Sequence, residues 1–319
     1  MRTSAGTWIE QEDTPSSPWP KVDQAHFAFG HRLAYHDLFD LKRIARISQN
    51  VVSDGYYERH VKSNDKQIDK SVLKRRLADS IERLEDGEEH WLKLSHVEEL
   101  GLEYRELLQE LLAELEELTG TPIRRRMNFC GMTIFMNSPR LVVPYHFDHE
   151  TNFLMQIRGE KDVYLWDPND PAVLTQHELE RFYRGSSMAG IWRDDLAQRS
   201  THYVLAPGTA VHHPPLAPHM IRNRDHVSVS LSLYYVLPES DVKARIYQAN
   251  YCMRRYGMHP RPPGVSVGRD HAKIALVNAL SSARPHSREE LLYSGVRRLD
   301  RPFEFVKSMV APFRAKKMA

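Results

Sequence analysis

The sequence predicts a mainly β core, a jelly-roll or small barrel, with helices added before and behind it. Three observations carry that prediction. Short β-type runs follow one another closely from Asn128 to Val236. Turn signals separate them, at Asn137-Ser138-Pro139, Arg158-Gly159-Glu160, Pro207-Gly208 and Asn223-Arg224-Asp225. Many short strands at this spacing are how antiparallel sandwiches and barrels read. The flanking stretches have the helical period instead, most clearly where Leu107, Leu108, Leu111, Leu112, Leu115 and Leu118 fall on one face.

Taken in order, residues 1–25 hold Pro, Ser and acidic residues with little periodicity and read as an extended lead-in. From His36 to Gln49 the apolar spacing is helical. A strand-like piece follows and ends at Asn64-Asp65-Lys66. Ser71 to Leu84 reads as a helix with Ser71 as its N-cap. His90 to Leu94 alternates like a strand, and the leucine-faced helix stops at Gly120-Thr121-Pro122. The strands of the core are Asn128–Met136, Leu141–Asp148, Asn152–Arg158 and Asp162–Trp166. An insertion, 168–199, precedes His202–Leu205, Thr209–His213, His219–Arg222 and Val227–Val236. Two helices follow, Asp241–Tyr256 and Asp270–Ser282, across the Pro-rich link 259–263. The basic tail from Arg314 reads as loose. The expected organisation is therefore 1–125, an N-terminal helical and mixed region; 126–237, the β core; and 238–319, a C-terminal helical extension.

Composition excludes several classes. A formal charge of +2 gives no global footprint for nucleic acid, and no apolar run approaches membrane-span length. Cys130 and Cys252 are too few for a disulfide framework. Met1 to Gly6 has no apolar signal-peptide core, so a reducing, cytoplasmic setting is expected.

The chemistry concentrates at Tyr145-His146-Phe147-Asp148. On a strand, positions two apart share a face, so His146 and Asp148 would point together. Two imidazoles and one carboxylate form the facial triad that holds non-haem Fe(II) with coordination positions left open. A third ligand is sought near His212-His213-Pro214-Pro215-Leu216-Ala217-Pro218-His219. His219 is preferred, because a proline-stiffened turn precedes it and a strand follows. His212 and His213 are its rivals. An HxD pair alone is equally a polar rim at a strand end.

Further residues make the pattern specific. After His146-Phe147-Asp148 come Asn152-Phe153, then Gln156-Ile157-Arg158-Gly159-Glu160-Lys161, then Leu165-Trp166-Asp167-Pro168. The stretch from Asn137 to Trp166 resembles the cupin-like JmjC-type Fe(II)/2-oxoglutarate oxygenases, and among them the hypoxia-inducible-factor asparaginyl hydroxylase family. The distal Pro-Gly, Pro-Pro and Pro-His elements and the run Ser228 to Tyr235 are similar as well. The resemblance implies a double-stranded β-helix (jelly-roll, cupin) core. It implies that His146, Asp148 and His219 bind Fe(II), and that 2-oxoglutarate and O2 are cosubstrates. Lys161 would pair with the distal carboxylate of 2-oxoglutarate, the role an ammonium on an inward-facing strand position suits. Asn152 would lie near the metal-bound carboxylate, and Ser232 where that hydroxylase has an amide. The family often has a hydroxyl residue three before the first ligand. Here Val143 stands there, with Thr133 and Tyr145 as possible substitutes.

The expected activity is hydroxylation of a C–H bond in a protein side chain or a small amino-acid-like metabolite. The alternative is a non-catalytic metal-binding cupin acting as a regulator or ligand sensor, which Val143 favours. A dioxygenase or isomerase needing no ketoacid is a third reading. No nucleic-acid site or membrane contact is expected. A homodimer through the C-terminal helices is, with the stripe Val242, Ile246, Ala249 and Met253 compatible either with that or with packing on the barrel.

Overall fold

The computed structural model describes residues 7–10, 17–48, 57–60, 79–81, 83–84, 91–186 and 189–315. The loop at 64–66, the cap at Ser71 and the tail from 316 lie outside the described residues. Among the described residues, eleven strands form two antiparallel sheets. They are β1 Phe27–Gly30, β2 Tyr57–His60, β3 Trp91–Ser95, β4 Phe129–Asn137, β5 Val142–His146, β6 Thr151–Arg158, β7 Lys161–Leu165, β8 Thr201–Leu205, β9 Thr209–His213, β10 His219–Asn223 and β11 Ser228–Val236. The larger sheet has the order β1-β9-β6-β11-β4-β3-β2 and the smaller β5-β10-β7-β8. Eight consecutive strands, β4 to β11, are thus shared between the two sheets in the jelly-roll manner.

Strand alternation gives the larger sheet two different faces. Met132, Ile134, Leu233, Leu231, Phe153 and Met155 share one face. They pack with the helix α2, Leu102–Thr119, whose Leu107, Leu108, Leu111, Leu112 and Leu115 are buried in the same core. The other face carries Leu154 and Val211. These meet Val163 and Leu165 of the smaller sheet in a second, inner cluster. Positions in register with Leu154, Val211, Val163 and Leu165 therefore face the interior of the sandwich.

Several strand ends differ from the sequence reading. β5 stops at His146, so Asp148 stands beyond the strand rather than on it. The backbone N–H of Leu216 donates to the Asp148 carbonyl at 2.8 Å, which takes this stretch out of the ladder. Residues 1–25 are not simply a lead-in. Ile9 bridges His31, and the backbone N–H groups of Trp8 and Ile9 donate to Glu114 of α2 at 2.8 Å each. β1 has no counterpart in the sequence reading either, because its four residues are too few to show a period. The first expected helix is α1, Leu41–Ser48, entered by a short turn at Asp37–Phe39.

The chain divides into two compact units, 1–168 with 193–237, and 169–192 with 238–319. The second is helical: α3 Gln176–Tyr183, α4 Pro238–Arg255, α5 Val267–Leu280 and α6 Arg288–Ala315. Thr175 and Glu178 form a reciprocal capping box that starts α3 inside the expected insertion. Tyr183 stacks on Tyr247 at 5.6 Å. Arg254 holds Glu180 through two hydrogen bonds of 2.7 and 2.9 Å. Asp300 is gripped by Arg184 at 2.7 Å and Arg255 at 2.8 Å. The helix α6 includes Arg314, which the sequence reading places in a loose tail. Ile246 and Ala249 are 4% and 1% exposed within the single chain, so most of the stripe expected for a dimer is already covered.

Candidate metal centre

His146 and His219 are cross-strand partners on β5 and β10. Between this pair and the next, Val143 opposite Ile221, β5 has one residue more than β10. A bulge of this kind bends a strand and re-aims the side chains beside it. Here it lies immediately before the first ligand. His219 in turn is in register with Leu165 of β7, which fixes it on the interior face.

The candidate ligand atoms of His146, Asp148 and His219 all lie within 4.8 Å of one another. His219 Nε2 is 3.6 Å from an Asp148 carboxylate oxygen, and the two imidazole centroids are 4.1 Å apart. Both rings are tethered in the same way. Nδ1 of His146 is 2.7 Å from the Pro144 carbonyl, and Nδ1 of His219 is 3.0 Å from that of Ala217. A carbonyl only accepts, so each Nδ1 carries a proton and Nε2 is the nitrogen left to face a metal. That tautomer is what a metal ligand requires. Rivals His212 and His213 are not in the group.

Electrostatics favour the same state. Burial opposes ionisation of Asp148, but the imidazoles of His146 and His219, with Lys93 and His149 beyond them, hold its carboxyl below the usual range. Burial, then the neighbouring His146, pulls His219 down to about 4, with Asp148 opposing. Two imidazoles and a carboxylate held in its ionised form are the donor chemistry of a divalent iron site. The residues present fit that ion.

Lys161 is the first residue of β7 and is 1% exposed. It shares the interior face with Val163 and Leu165, about 13 Å along the strand from the Leu165–His219 pair. Burial pulls its ammonium down to about 7, and no neighbouring charge or hydrogen bond among the described residues offsets this. Its cross-strand partner Asn223 has a buried carbonyl oxygen without a partner, as does Asn137. Buried polar groups left in this state call for a partner beyond the described protein atoms, a water or a ligand.

The remaining expected residues divide. Asn152, Ser232 and Thr133 all take interior positions on the larger sheet, with Thr133 and Ser232 in register and Ser232 Oγ donating to Asn152 Oδ1 at 3.0 Å. Tyr145 packs edge-on against Trp166, with ring centroids 5.1 Å apart. His213, by sequence only a rival ligand, joins the site in another capacity: its ring lies 4.6 Å from that of His219. Burial first, then the nearby histidines, keep it well below the usual histidine range. The adjacent Pro-Pro turn is the only local signal for it. A second set of donors, His96, Glu98 and Glu99, has a structural explanation. Glu98 accepts the Met132 backbone N–H at 2.9 Å, where β3 has ended and left that donor unpaired.

No curated protein matches the chain. Among solved structures it is similar to YcfD, a ribosomal oxygenase from Escherichia coli. The identity is 13%, covering 92% of this chain and 66% of that one, with a TM-score of 0.40. The same protein in complex with cobalt and succinic acid gives 12%, 81%, 64% and 0.37 in the same order. The DMSP lyase DddQ from Ruegeria pomeroyi DSS-3 gives 17%, 34%, 38% and 0.22. The chain thus spans just under two thirds of those two YcfD chains. A family model described as a cupin-like domain matches residues 45–240, which include every ligand and interior residue named above. The protein belongs to the cupin-like domain family.

Proposed function

We propose that the protein is an Fe(II)- and 2-oxoglutarate-dependent dioxygenase that hydroxylates a C–H bond. The substrate would be a protein side chain or a small amino-acid-like metabolite. One observation carries the reading: a buried, uncompensated lysine on the same interior face as a His-Asp-His set. A lone metal-binding cupin has no need of such a cation. A dicarboxylate chelating the metal at one end needs one at the other.

Bound Fe(II), with 2-oxoglutarate and O2, supplies the oxidising chemistry that turns a C–H bond into an alcohol. The chain's own residues bind and orient. His146, Asp148 and His219 would hold the ion and leave its other positions open. Lys161 would anchor the distal carboxylate, and the two apolar cores around the larger sheet keep bulk water from the interior. Among the described residues no helix is long and apolar enough to cross a membrane. Cys130 and Cys252 are free thiols, in keeping with the cytoplasmic setting we propose.

Val143 lies opposite Ile221 and supplies no hydroxyl, which favours the regulator reading. Succinate release from 2-oxoglutarate by the iron-loaded protein separates the two. Release that disappears in His146→Ala and Lys161→Ala supports the dioxygenase. Metal binding with no succinate across varied candidate substrates would leave the regulator. Turnover untouched by Lys161→Ala would point to chemistry without a ketoacid.

A further inference from the structure

His212 and His213 are successive residues of one buried strand, yet their rings are treated differently. His212 is 0% exposed and both its ring nitrogens are used. Nδ1 is 3.0 Å from the Asn152 carbonyl, and Nε2 accepts the Asp23 backbone N–H at 3.4 Å. Its ring packs on Phe27 and Phe153, on the side of the larger sheet that meets α2. His212 is thus a satisfied core histidine.

His213 points the other way, as strand alternation demands. It is 4% exposed, and among the described residues its ring has no hydrogen-bond partner. Its ring is tilted 36° to that of His219 at 4.6 Å. On the neighbouring strand its register partner is Asn152. The Asn152 side-chain carbonyl oxygen is already engaged by Ser232, which leaves its amide N–H groups without a partner among the described residues. Two hydrogen-bonding side chains, on strands about 4.8 Å apart, therefore stand side by side next to a candidate metal ligand. An apolar side chain would pack there without any such cost. A buried imidazole is kept at an expense that only a hydrogen bond removes.

We infer that His213 donates a hydrogen bond, beside Asn152, to the carboxylate of the cosubstrate that chelates the metal. The inference rests on the dioxygenase reading and deepens it. It assigns the metal end of the dicarboxylate to these two neutral donors, while Lys161 takes the far end. A neutral donor suits that end, because the ion already balances the carboxylate charge. The donor that Val143 does not supply would then be replaced from another strand, at the metal end of the cosubstrate.

The test uses the full chain under anaerobic conditions, loaded with Fe(II) and titrated with 2-oxoglutarate. The readout is the visible charge-transfer band of the chelate, with metal affinity measured separately. His213→Leu should bind 2-oxoglutarate at least about tenfold more weakly and shift the band, with Fe(II) affinity unchanged. His213→Gln, which keeps an N–H donor, should recover most of the affinity. A His213→Leu protein with wild-type affinity and an unmoved band overturns the assignment. So does an equal loss of Fe(II) binding in both variants, which would show that the ring only packs against His219. If the wild-type protein takes up Fe(II) but gives no band with 2-oxoglutarate, the dioxygenase reading itself fails, and this inference with it.

Discussion

Burying an ammonium without a counterion works against folding, and Lys161 does so at the start of β7. Its folded-state pKa of about 7 lies below the unfolded value of about 10.4. Between those two values the unfolded chain holds a proton that the folded chain has lost. Stability should therefore rise with pH across that window, by ~1.4 kcal/mol for each unit of difference as an upper bound. Lys161→Met removes the penalty. It should raise the apo-protein's stability by roughly 2–4 kcal/mol at neutral pH while abolishing 2-oxoglutarate binding. Chemical denaturation at several pH values and a binding titration check both halves. Two residues earlier, Gly159 has φ +71°, and a Cβ there would meet the Val227 carbonyl. Gly159→Ala should cost about 1–3 kcal/mol and disturb Lys161 through the turn that joins β6 to β7, seen as a lower melting point and weaker 2-oxoglutarate binding.

At the scale of elements, the sheet and the helix α2 depend on one another through their shared core. Leu111 and Leu112 are 0% exposed and lie opposite the sheet face bearing Ile134 and Leu231. Leu111→Ala should destabilise by about 2–5 kcal/mol, because a cavity is left that a packed core fills only in part. The ligand atoms lie on the other side of the sheet. Fe(II) binding below the new melting point should therefore survive, as isothermal titration would show. The elements differ in how openly the sequence announces them. The leucine face of α2 and the turn glycines carry strong local signals. β1 is four residues long. The helix α6 contains Pro302 and Pro312, residues that ordinarily stop a helix because they lack the N–H donor. Both therefore escape a reading by period and propensity.

For the whole molecule, binding to the folded state alone adds stability by mass action. Fe(II), or Mn(II) as a redox-inert stand-in, at a hundred times its dissociation constant should add about 2.7 kcal/mol. A chelator should remove the gain, and His146→Ala should never show it; thermal unfolding with and without metal is the measurement. The cooperative unit to watch is the one holding the two sheets, 1–168 with 193–237. The second unit has its own internal ion pairs at Asp300 and Glu180 and, among the described residues, no candidate ligand. A biphasic melt in which metal moves only one phase is the expected result. Light scattering addresses the homodimer we propose through the C-terminal helices, where Val242 remains 44% exposed.

What the sequence determined by itself was the alternation of short strands and turns, the core-facing leucines and the spacing that makes His146, Asp148 and His219 candidate ligands, with Lys161 on an inward-facing strand. These are properties of residue type and spacing, and strand period translates them directly into faces. The tertiary structure decided the rest. Asp148 reaches the candidate metal site from beyond its strand, its backbone carbonyl accepting the Leu216 N–H. A bulge before His146 and a carbonyl tether on Nδ1 of each of the two rings set the candidate ligand geometry. Tyr145 turned to Trp166, and His213 came to stand beside His219. The bulge, the Asp148–Leu216 bond and the Tyr145–Trp166 contact join segments that no short window of residues contains, while the ring tethers and the His213–His219 contact are local in sequence but serve faces that only strand pairing sets.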